Sequence, residues 1–138
     1  MAPAPSGPLT DIDSKQLQLQ RSRRPLPKCP DDQLGFGKVI TDHMLKVQWS
    51  AGKGWAAPQI VPSGPVGLHP FAHVFHYAIE AYEGMKAYVD DDGETRLFRP
   101  DMNMRRFNDS AARLCLPSFD GTELLECIKE LLRVDKEW

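Results

Sequence analysis

Pro100 and Pro117 constrain this chain most, because they delimit one helix and set off a second. Pro100 stands where a first helical residue belongs, since that position makes no intrahelical use of an N–H. Phe107, Ala111 and Leu114 then fall at i, i+4 and i+7 on one apolar face, and the helix stops before Pro117. Asp120 follows as an N-cap, with Glu123 three positions on in a variant of the capping box. Leu124, Leu125, Ile128, Leu131 and Leu132 line the apolar face of the final helix. Two such helices need another surface to bury their stripes against, and the preceding residues must supply it.

Those residues read as strands. Met44 to Trp49 alternates apolar and polar side chains, as a half-buried strand does. Ser50 to Gly54 supplies a turn, and Trp55 to Val61 returns beside the first strand. Pro62 to Pro70 holds three prolines and two glycines and reads as an ordered loop. Tyr77 to Tyr82 is ambiguous by period alone, and one reading is a short helix that Glu83-Gly84 would end. Met85 to Val89 and Thr95 to Phe98 flank Asp90 to Glu94, whose Asp-Gly pair marks a hairpin because glycine tolerates positive φ. The expected class is α+β: antiparallel strands with two C-terminal helices against one face.

A length of 138 residues and an apolar content of 41% suit one globular domain. A net charge of −2 gives no electrostatic reason to bind nucleic acid or an anionic membrane, and no apolar run is long enough to span one. Cys29, Cys115 and Cys127 form no C-x-x-C pair, which favours free thiols in a reducing compartment, and the cytoplasm is the expected location. Residues 1–33 are rich in proline and poor in large apolar side chains, so they are expected to be a disordered tail. Arg21, Arg23 and Arg24 suggest a mitochondrial transit peptide instead, but Asp11, Asp13 and the early prolines argue against an acid-poor amphipathic helix. The structured domain is then 34–138. The chain stops at Trp138 almost directly after a helix, which suggests a cut from something longer, although a helical C-terminus is also ordinary.

Spacing alone assigns no chemistry. His73 and His76 have i, i+3 spacing suited to a metal, but only Glu80 stands near as a third ligand, so packing or hydrogen bonding is the better reading. Ser63 lacks a nucleophile-elbow context. Arg105, Arg106 and Arg113 put positive charge on one helix, ordinarily a solvated face. Lys86 sits in an alternating strand beside an acidic turn and reads as solvent-facing.

Longer motifs are more informative. Phe36-Gly-Lys-Val-Ile-Thr-Asp-His-Met44 resembles the opening of branched-chain amino-acid aminotransferases. Gly54-Trp55, Leu68-His-Pro70 and His76-Tyr77 follow in that family's order, and Tyr82-Glu-Gly-Met-Lys-Ala-Tyr88 resembles its F-E-G-M-K-A-[FY] segment. Phe98 to Arg106 and Ser110 to Pro117 extend the likeness, which these motifs carry from Phe36 onward.

The resemblance implies the small N-terminal domain of a fold-type IV pyridoxal-phosphate enzyme. It implies a homodimer that exchanges amino groups between leucine, isoleucine or valine and 2-oxoglutarate, with branched 2-oxo acids as products. By the same resemblance Arg106 matches the arginine that binds the phosphate of pyridoxal 5'-phosphate, while Phe36, Tyr77 and Tyr82 match residues around the branched side chain. The family usually has Phe where Tyr82 stands. No lysine from Phe36 onward matches the motif of the cofactor-binding lysine, so the chain is expected to be inactive alone. Such a part would also expose an apolar patch including some of Phe71–Tyr82. Another fold-type IV transaminase, such as one acting on D-amino acids, is a rival reading. A stand-alone interaction module that dimerises with or poisons a longer homologue is another.

Overall fold

The computed structural model describes residues 8–138. In chain order the strands are β1 (Gln18–Leu19), β2 (His43–Lys46), β3 (Trp49–Ser50), β4 (Gly54–Trp55), β5 (Gln59–Pro62), β6 (Ala87–Val89) and β7 (Thr95–Leu97). The helices are α1 (His73–Tyr77), α2 (Pro100–Arg113) and α3 (Gly121–Val134). The class is α+β, as expected. β2 and β5 pair antiparallel with Leu45 opposite Ile60, so the return strand is present. β3 and β4 form a small hairpin around the glycine-rich turn, and β6 and β7 form the Asp-Gly hairpin with Gly93 at φ 79°.

The strands are not all antiparallel. β1 joins β5 in parallel, giving the order β1-β5-β2. That strand belongs to the segment expected to be disordered, and the expectation fails there. Ile12 is 4% exposed and sits in one core cluster with Met104, Phe119 and Cys127, and Leu17 packs against it. Thr10 lies across the β3–β4 turn: its N–H donates to the Lys53 carbonyl at 3.0 Å, and the Trp55 N–H donates to its carbonyl at 2.9 Å. Gly54, at φ 88°, is required here because a Cβ would run into the Thr10 backbone. Composition averaged over the segment hides this, since one buried isoleucine and a run of backbone bonds suffice to anchor it. Residues 1–7 of the expected tail lie outside the described residues.

The same segment completes the cap of α3. Asp120 accepts from the N–H groups of Thr122 and Glu123, as expected for an N-cap. Glu123 does not reach back to Asp120. It accepts from the Ser14 N–H at 2.7 Å, and the Asp120 N–H donates to Asp11 at 2.9 Å. The second half of the capping box therefore comes from 109 residues away in sequence.

Two further expectations are corrected. The short helix is His73–Tyr77, and Ala78 at φ 48° turns the chain out of it, leaving 78–86 irregular instead of helical over Tyr77–Tyr82. Leu114, placed on the buried face of α2, is 40% exposed. The chain leaves the helix there through Cys115 at φ 55°, so the buried stripe ends with Ala111.

If Ile12 is a core residue, Ile12→Val should lower stability by about 1 kcal/mol, the usual effect of removing one buried methylene. A denaturant midpoint unchanged by that substitution would return the segment to the status of a tail.

Candidate functional site

The irregular segment 78–86, the β6–β7 hairpin and the first two turns of α2 enclose an open groove of about 740 Å³. Phe36, Tyr82, Tyr88, Phe98 and Met102 give it aromatic and apolar walls, while Lys86, Arg99 and Arg106 supply positive charge. Three of the four residues expected at a site thus line one groove: Phe36, Tyr82 and Arg106. Tyr77 does not. It stands on α1 with its ring edge against His73 and is 72% exposed. Phe36 and Tyr82 are also largely exposed, at 96% and 75%, so the groove has walls but no roof. Phe71 and Phe75 are exposed as well, which matches the apolar surface expected over Phe71–Tyr82.

Arg106 is six residues beyond Pro100, in the second turn of α2. Its guanidinium makes a two-point ion pair with Glu83: Nε donates to Oε2 at 2.7 Å and Nη2 to Oε1. The Glu83 side chain is only 7% exposed. Asn103, one turn before Arg106, donates to Glu83 Oε1 at 2.8 Å and to the Gly84 carbonyl at 2.9 Å. Hydrogen bonding from Arg106, then from Asn103, holds the Glu83 carboxyl down at about 2, so it is ionised at any ordinary pH. Arg105 points elsewhere, as a 100° step around the helix requires, and lies beside Asn108 and Gly121 between α2 and α3.

Sequence reasoning missed Glu83, Asn103 and Arg99. Glu83 was read as part of a helix stop and of a family motif but given no role, although Asn103 and Arg106 at i, i+3 on α2 do mark one polar helix face. Arg99 reaches the groove because its backbone is left-handed, φ 46°, at the start of α2. Lys86 is exposed, as expected, but toward this groove.

The other candidates lie outside this groove. His76 Nε2 pairs with the Pro70 carbonyl at 2.8 Å, and no group of three or more His, Cys, Asp or Glu among the described residues is placed to hold a metal. The Ser63 N–H donates to the Asp42 carbonyl at 2.9 Å, one position beyond the β2–β5 pairing. Cys29, Cys115 and Cys127 are free thiols, and burial pushes the Cys127 thiol up. No described helix is long and apolar enough to cross a membrane.

A guanidinium with one edge held by a carboxylate still offers three N–H groups, enough for a phosphate or carboxylate. Aromatic walls beside it suit an aliphatic or planar group.

No family model matches the chain. It is 48% identical over 130 residues to the mitochondrial branched-chain-amino-acid aminotransferase of Rattus norvegicus, covering 94% of this chain and 33% of that protein. The cytosolic enzyme of Mus musculus is 53% identical over 114 residues, 82% of this chain and 30% of the relative. The cytosolic enzyme of Saccharomyces cerevisiae is 46% identical over 128 residues, 93% and 34% respectively. The match to the rat protein takes in most of the N-terminal segment as well as the motifs from Phe36 onward. The chain spans about a third of the length of these relatives.

Proposed function

The chain belongs to the branched-chain amino-acid aminotransferase family, and on that premise we propose that it forms the family's small N-terminal domain. In this reading it contributes one wall of a site that moves an amino group between leucine, isoleucine or valine and 2-oxoglutarate. The observation that carries the proposal is the convergence of Arg106, Phe36 and Tyr82 on one groove.

The residues present fit pyridoxal 5'-phosphate at its phosphate end, since Arg106 keeps N–H groups not engaged by Glu83 and Arg99 and Lys86 add positive charge nearby. When bound, the cofactor supplies the electron-withdrawing ring on which amino transfer depends. Arg106 binds the phosphate and fixes its position. Phe36 and Tyr82 shield an aliphatic side chain from water, and the Tyr82 hydroxyl adds a polar group where the family usually has a phenyl ring. Tyr77 lies outside the groove, so any wall it forms is a separate surface. The exposed aromatic residues support a further proposal, that this face is covered in a homodimer or by the rest of a longer chain.

Two thirds of each relative lies outside the match, and the groove holds no lysine in the family's cofactor-binding motif. The 138-residue chain, purified free of longer homologues, is therefore expected to show no leucine–2-oxoglutarate amino transfer. Borohydride reduction with pyridoxal phosphate should leave scattered surface adducts and no stoichiometrically modified lysine. Sustained turnover, or one lysine modified to completion, would overturn this assignment of roles.

A further inference from the structure

We infer that Glu83, itself held by Asn103, is a positioning residue that locks the Arg106 guanidinium with its free edge turned to the groove. The inference rests on the reading of Arg106 as an anion anchor and adds a residue to it. Glu83 engages Nε and Nη2, leaving Nη1 and the remaining Nη2 hydrogen with no partner among the described residues. The carboxylate cannot easily turn away, because Asn103 ties Oε1 to the Gly84 carbonyl through a single amide. Asn103 and Arg106 share one face of α2, so the carboxylate is gripped from one rigid element while its backbone belongs to the segment that forms the opposite wall. An arginine otherwise 66% exposed is thereby given one orientation.

Simple electrostatics argues the reverse, which makes the inference decisive to test. A carboxylate beside Arg106 lowers the local positive potential, so removing its charge should strengthen anion binding if Glu83 only competes. If Glu83 positions the guanidinium, removing its charge should weaken binding, because the ligand must then order the side chain itself.

The experiment uses the 138-residue chain, with inorganic phosphate as the probe and Arg106 Nε–Hε resonances as the reporter. Glu83→Gln is the near-isosteric variant, Glu83→Asp a second that keeps the charge but shortens the reach, and circular dichroism checks the fold. Expected is a severalfold loss of Arg106-dependent phosphate affinity in both variants, with Nε relaxation showing a more mobile side chain. Where wild type binds phosphate more tightly than Arg106→Ala does, binding by Glu83→Gln as tight as or tighter than wild type would overturn the positioning role, and unchanged Nε relaxation would overturn it in every case. An ordered wild-type Arg106 that Glu83→Gln loosens, with no phosphate affinity above that of Arg106→Ala, would support the positioning role while removing the anion-anchor reading.

Discussion

His43→Ala is expected to destabilise the chain by about 2–4 kcal/mol, because it takes a hydrogen bond of about 1.5–3 kcal/mol from a buried carboxylate and also strands the Ser22 N–H. His43 is 7% exposed and Asp135 8%. His43 Nδ1 lies 2.6 Å from Asp135 Oδ1, and the His43 N–H donates to Oδ2 at 3.0 Å. Nε2 accepts the Ser22 N–H at 2.8 Å, so it carries no hydrogen in this arrangement and Nδ1 is the donor to the carboxylate. One imidazole therefore joins three parts of the fold: β2, the end of α3 and the N-terminal segment. A carboxylate at a helix C-terminus opposes the helix dipole, so Asp135 is placed there for His43 and not for the helix. Removing His43 leaves that carboxylate buried with one backbone donor.

Asp135→Ala strands two donors, the imidazole N–H and the His43 backbone N–H, and should cost about 2–5 kcal/mol. The double variant should cost clearly less than the sum of the singles, because both substitutions delete the same contacts. Denaturant titration of the four proteins checks this. Either single variant within about 1 kcal/mol of wild type would mean the pair contributes little.

What was legible in the sequence was what is local. Pro100 starting α2, Asp120 capping α3 and Asp92-Gly93 turning a hairpin each act within a few residues, and all three are present. What was illegible depends on distant partners. Ile12 looks like an isolated apolar residue in a polar stretch until Met104, Phe119 and Cys127 are brought around it. Glu123 satisfies half of a capping-box pattern, yet its carboxylate is taken by Ser14. The Tyr77–Tyr82 run stayed ambiguous because its period does not choose between helix and irregular chain, and the left-handed turn at Ala78 is set by the surrounding chain. At the site, the motif resemblance led to Arg106, Phe36 and Tyr82, whereas Glu83 and Asn103 emerge only when segment 78–86 folds against α2.

The central proposal is that Arg106, and not its neighbour, holds the cofactor phosphate. A chimera in which this chain replaces the matching third of the rat mitochondrial relative would provide the rest of the site. The measurement is its pyridoxal-phosphate dissociation constant with Arg106→Ala and, separately, with Arg105→Ala. Arg106 faces the groove with N–H groups to spare, and its place in the second turn of α2 lets the helix dipole assist only weakly. Losing a charge-assisted contact of about 1.5–3 kcal/mol raises the constant roughly 10- to 150-fold. Arg105 lies on the other side of α2 and should change it by less than about twofold, as a surface charge away from the ligand does. An equal effect from the two substitutions, or a larger one from Arg105→Ala, would contradict the account.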